Sequence, residues 1–117
     1  MAKRILVVKE GDWRRNSGAR GDNDDWAENV HAWLSEDPSS PEVQVIDRLA
    51  DAEIHPPVTA VVFLSRGMLH QAQRLKLEHA WLKVVVLTGE PPDDQDEEVE
   101  ILNKGTVTPD IVRASVI

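Results

Sequence analysis

The sequence contains no cysteine, which excludes disulfide staples, a thiolate metal site and a cysteine nucleophile. It also lacks any apolar run long enough to span a bilayer. The basic start, MAKRILVV, is not followed by the hydrophobic core of a signal peptide. A cytoplasmic protein without membrane contact is therefore expected. Glycine-rich phosphate fingerprints are missing too: SGARGDND has neither the Rossmann spacing nor the lysine of a P-loop. Positive charge is scarce, and the formal net charge of -8 with a pI near 4.9 argues against a nucleic-acid partner, which needs a concentrated basic face. Arg14, Arg15 and Arg20 form a local exception, but Asp22, Asp24 and Asp25 follow at once and make this a solvated mixed-charge loop.

What the 117 residues do contain fits one domain, 1–117, with a real core. The organising stretch is KVVVLTGE, Lys83 to Glu90. Its unalternating run of Val84, Val85, Val86 and Leu87 suits a strand covered on both faces, as in a parallel sheet. Similar reasoning predicts strands at Arg4–Val8, Val43–Ile46, Thr59–Leu64 and Val99–Leu102.

Between them, the loop from Gly11 to Asn23 is long and nearly devoid of apolar residues except Trp13, a length usually tied to function. Asp24 or Asp25 can cap a helix, with Glu28 closing a capping box from Asp25. Trp26, Val30, Trp33 and Leu34 share one face of it. These tryptophans read as core, and His31 lacks a second histidine at one-turn spacing, so no metal is expected there. Arg48 to Ile54 has room for two helical turns before Pro56-Pro57. Met68, Leu69, Ala72, Leu75, His79 and Leu82 trace the longest helical face in the chain. The acidic EPPDDQDEE leaves little room for a helix and lacks the glycine turn of a calcium loop. Thr108 caps a short last helix with Pro109 in its first position. That helix is expected to dock Ile111 and Val112 on the sheet. Val116 and Ile117 are left to fray or to meet a second copy in a homodimer.

Five strands alternating with helices or their remnants predict a flavodoxin-like α/β sandwich with a parallel sheet in the order 2-1-3-4-5, its helices reduced after the second and fourth strands. In that order one carboxyl edge gathers Lys9, Glu10, Ser65, Thr88 and Lys104.

With these motifs in place (ILVV before Lys9-Glu10, a third strand ending VVFLS, VVVLTG, and ILNKG), the chain resembles the receiver domains of two-component response regulators over nearly its whole length. In that family a threonine or serine placed like Thr88 and a lysine placed like Lys104 contact the phosphoryl group on an aspartate ending the third strand. A pair of acids after the first strand holds magnesium. Here the acceptor position is Ser65 with no carboxylate in VVFLSRG, and a serine needs a base where an ionised aspartate does not. The first acid is replaced by Lys9, leaving Glu10 alone, so the site carries an ammonium where magnesium prefers carboxylate oxygen. The family's lysine-proline is Lys104-Gly105, and its switch aromatic is Ile101.

The resemblance with these departures implies a pseudo-receiver: a signalling domain that binds a protein partner, with no cofactor and no catalysis. The loop bearing Trp13, Arg14, Arg15 and Arg20 is a candidate contact surface. The alternative is a small anion- or nucleotide-binding domain, or an enzyme built on such a site, with Lys9 and Lys104 flanking an oxyanion cradle completed by Ser65, Thr88 and backbone amides. Against that, Glu10 is expected to pair with one or both lysines and fill the site internally. A third reading, a working receiver using Asp12 or Asp24 from the loop, demands geometry that strand ends normally fix.

Overall fold

A computed structural model describes residues 3–9, 22–35, 41–51, 54, 58–89 and 99–116. Its strands are β1 (Arg4–Val8), β2 (Glu42–Ile46), β3 (Val58–Phe63), β4 (Lys83–Thr88) and β5 (Glu100–Asn103). All four pairings are parallel, in the order β2-β1-β3-β4-β5. The helices are α1 (Asp22–Leu34), α2 (Leu69–Glu78) and α3 (Pro109–Val116), with 3-10 turns at Leu49–Asp51 and Arg66–Met68. This is the flavodoxin-like topology that the unalternating apolar runs imply.

Those runs exist because the sheet is buried twice. Ile5, Val7, Ala60, Val62, Leu64, Val85 and Leu87 pack with Ala27, Val30 and Leu34 of α1 and with Val112 and Val116 of α3. Their strand neighbours Leu6, Val8, Val61, Phe63, Val84 and Val86 pack on the other side with Ala72 and Leu75 of α2. The period-2 alternation of strand side chains thus supplies two cores from one run, and each fully buried aliphatic contributes about 1.5–3 kcal/mol.

One irregularity breaks the alternation. Arg4 faces Val58 but Ile5 faces Ala60, so Thr59 is an extra residue in β3. It lets Val58 join the α2-side core while its own hydroxyl is buried without a hydrogen-bond partner among the described residues.

Several boundaries differ from the sequence reading. α1 begins at Asp22, so Asp24 and Asp25 lie in its first turn rather than capping it. β3 starts at Val58, and β5 at Glu100 with Val99 buried just before it. Between β2 and β3 the two expected helical turns are a single 3-10 turn among the described residues. α2 is not the longest helix: it spans 10 residues against 13 in α1. His79 leaves the helical region at φ -133, ψ 76, and Leu82 is buried from the turn into β4. Apolar spacing continues past Glu78, but the chain must reverse to enter β4.

α3 carries the largest correction. Thr108 caps it as expected, its Oγ1 accepting the Ile111 N–H at 3.3 Å. Yet Ile111 is exposed, while Val116 is buried in the core beside Val112. Val112 and Val116 stand one turn apart on the same face, and Ile111 is one residue out of step. Arg113 ties this helix to α1 by donating from Nε to the Trp33 carbonyl at 3.0 Å, one of the carbonyls that a helix end leaves open. The expected acidic loop at 90–98 and Ile117 lie outside the described residues.

Candidate functional site

The carboxyl ends of β1, β3, β4 and β5 bring four of the five sequence-selected residues to one edge of the sheet. Lys9 follows β1, Ser65 follows β3 after the buried Leu64, Thr88 ends β4, and Lys104 follows β5. Glu10, together with Trp13, Arg14, Arg15 and Arg20, lies outside the described residues.

Lys9 is held by its neighbour strand. Its backbone N–H donates to the Ile46 carbonyl at 2.9 Å, which extends the β1–β2 register in which Val8 faces Ile46. Its Nζ then meets Asp47 Oδ1 at 3.2 Å. With the Asp47 side chain 60% exposed, the pair adds only about 0–1 kcal/mol. Its consequence is positional. By the resemblance to receivers, the first magnesium-side position is here an ammonium, engaged with the carboxylate that follows β2, and no three His, Cys, Asp or Glu side chains cluster among the described residues. Among the described residues, an ammonium paired with one carboxylate is not a magnesium donor set.

Ser65 shapes a turn. Its Oγ accepts the Gly67 N–H at 3.3 Å and its carbonyl accepts the Met68 N–H at 3.1 Å. The hydroxyl thereby imitates a backbone turn and launches the 3-10 segment before α2. Thr88 is buried, and its carbonyl accepts the Lys104 N–H at 3.0 Å. A side chain on Gly89 would meet nothing within 4 Å among the described residues.

Lys104 does not stand alone at this edge. Its Nζ lies 5.5 Å from the ring centroid of Trp26, a cation–π arrangement. Trp26 in turn meets Trp33 edge-on, with centroids 6.1 Å apart and ring planes at 83°. Both tryptophans pack on the α1-side core. The sequence reading placed them there but missed that one of them receives the lysine. Asp47 was also missed, although the strand order and an in-register β1–β2 pair put it beside Lys9.

The loop after Lys104 is organised without proline. The Gly105 N–H donates to Asn103 Oδ1 at 2.7 Å, and the Asn103 carbonyl accepts from Thr106 N at 3.1 Å and Val107 N at 2.9 Å. A proline at 105 cannot donate. A Cβ there would approach Asn103 Oδ1 to 3.2 Å. Gly105→Ala, which keeps the donor, is expected to cost about 0.5 kcal/mol, and Gly105→Pro about 2 kcal/mol, measured by urea unfolding. The receiver-like residue is thus the worse one in this chain; equal stability of Pro and Gly would remove the Asn103 turn from the account.

No family model matches the sequence, and no curated protein sequence matches it. Among solved structures, the chain is similar to an atypical orphan response regulator protein, described as revealing a new phosphorylation-independent regulatory mechanism. The two share 14% identity and a TM-score of 0.65, over 97% of this chain and 91% of that one. The strand order, the placement of the helices and this likeness together identify the fold as that of a response-regulator receiver domain.

Proposed function

We propose that the domain is a non-catalytic, receiver-like signalling module that acts by binding another protein rather than by phosphoryl transfer. The observation that carries this is the Lys9–Asp47 ion pair at the edge where receivers gather acids for magnesium. Phosphoryl transfer depends on neutralising charge at the phosphorus oxygens and on a positioned nucleophile. Here the strand-end residue is a serine engaged in a turn, and the lysine after β5 faces an indole. The phosphorylation-independent mechanism described for the structural neighbour supports the same reading. The anion-binding alternative loses ground because Lys9 and Lys104 both have partners within the chain.

The test is intact-mass measurement after incubation with acetyl phosphate and magnesium. The expected result is an unchanged mass. Stoichiometric gain of one phosphoryl group would overturn the proposal.

A further inference from the structure

Charge is distributed very unevenly along this acidic chain. From 54 to 89 the single acid is Glu78, against Arg66, Arg74, Lys76 and Lys83. The same segment holds the two most exposed of the large apolar side chains described, Leu77 at 74% and Trp81 at 52%. Both belong to α2 or the turn that leaves it. α2 faces inward with Ala72 and Leu75. Its outward side brings His70, Arg74 and Leu77 into one stripe by helical spacing.

The turn carrying Trp81 is fixed in place. Lys76 Nζ donates to the carbonyls of Ala80 at 3.0 Å and Leu82 at 2.6 Å, clamping the turn to the helix end. The Trp81 ring meets His79 edge-on, with centroids 5.7 Å apart. A large aromatic held this way binds with little further loss of freedom, and exposed Trp and Arg are the residues that dominate binding energy at protein interfaces. On the other side of Arg74 runs a groove of about 180 Å³, lined by Leu49, Gln71, Arg74, Leu75 and Glu78. It has room for one apolar side chain next to a guanidinium.

We infer that the outer face of α2 and its following turn is a docking surface for an acidic protein segment bearing an aliphatic or aromatic anchor. The inference rests on the interaction-module reading and specifies its partner. Charge complementarity selects the occupant: in a chain of net charge -8, α2 carries Arg74 and Lys76 against Glu78 and is the one described helix with a net positive charge, so an acidic segment lands here rather than on the acidic α1 or the neutral α3. A nucleic acid is disfavoured because backbone binding needs many phosphate contacts and α2 offers only Arg74 and Lys76 as cations.

The experiment uses a fluorescein-labelled synthetic peptide of repeated Glu-Glu-Leu-Leu blocks, its Lys-for-Glu counterpart, and labelled oligo(dT). Anisotropy reports binding, and the indole N–H resonance of Trp81 reports location. The acidic peptide is expected to bind and to shift that resonance. Trp81→Ala and Arg74→Glu should each weaken binding about tenfold, with Ile111→Ala, on a distant exposed helix face, unchanged. Absence of binding, insensitivity to both variants, or equal or tighter binding of the lysine peptide or oligo(dT) would overturn the inference. Phosphorylation by acetyl phosphate would instead overturn the functional reading beneath it, so the two failures are distinguishable.

Discussion

Val116→Asp is expected to lower the unfolding free energy by about 3 kcal/mol, whereas Ile111→Asp on the same helix should change it by less than about 0.5 kcal/mol. Val116 is 2% exposed and Ile111 41%. An aspartate at 116 would carry an unpaired charge into the cluster formed by Val112, Leu34 and the α1-side strands. Because a domain's whole stability is about 5–15 kcal/mol, such a loss is a large fraction of it and is readable from urea midpoints. A loss below about 1 kcal/mol would mean that the last turn of α3 opens without resistance, and the core would then end at Val112. The burial of Val116 also removes that residue from contact with a second copy.

The second large effect is at Trp26. Replacing it by alanine should cost about 2–3 kcal/mol, below the full cost for a completely buried tryptophan because its ring is only partly covered. Two specific contacts add to the lost apolar area: the edge-on meeting with Trp33 and the ammonium of Lys104. A double-mutant cycle separates the second. Lys104→Met keeps the length of the side chain and removes its charge, and the coupling to Trp26→Phe or Trp26→Ala is expected to be about 0.5–1 kcal/mol. A coupling indistinguishable from zero would show that the lysine and the indole are neighbours without mutual stabilisation. The cycle matters for function because this contact engages the side chain that receivers aim at a phosphoryl group.

How much of this was readable from the residues alone depends on the kind of interaction. The strands were legible because a sheet covered twice demands unbroken apolar runs, and VVVL and AVVFL are such runs at strand length. Lys9–Asp47 was legible in principle: once β1 and β2 are neighbours in register, Val8 faces Ile46 and the next pair is forced. The Lys104–Trp26 contact was not, because it depends on how α1 is rotated against the sheet, which spacing alone does not determine. The end of α2 was misread for a related reason. His79 and Leu82 keep helical spacing, but Lys76 gathers the Ala80 and Leu82 carbonyls and closes the turn. For α3 the apolar count was right and the face was wrong, since Ile111 and Val112 are adjacent and cannot both point inward from a regular helix.

The order of the sheet leaves β2 and β5 as its outer strands, each with one row of backbone amides and carbonyls facing away from the sheet. Such rows are templates for strand addition between molecules, and proteins blunt them with short lengths and charge. β2 has five residues and β5 four, and each opens with an exposed glutamate, Glu42 and Glu100. Glu42 is held by Arg4 at 3.2 Å, and two copies approaching edge to edge would gain only the few hydrogen bonds that ladders this short can form. The same two strands that close the architecture also discourage its growth into a continuous intermolecular sheet.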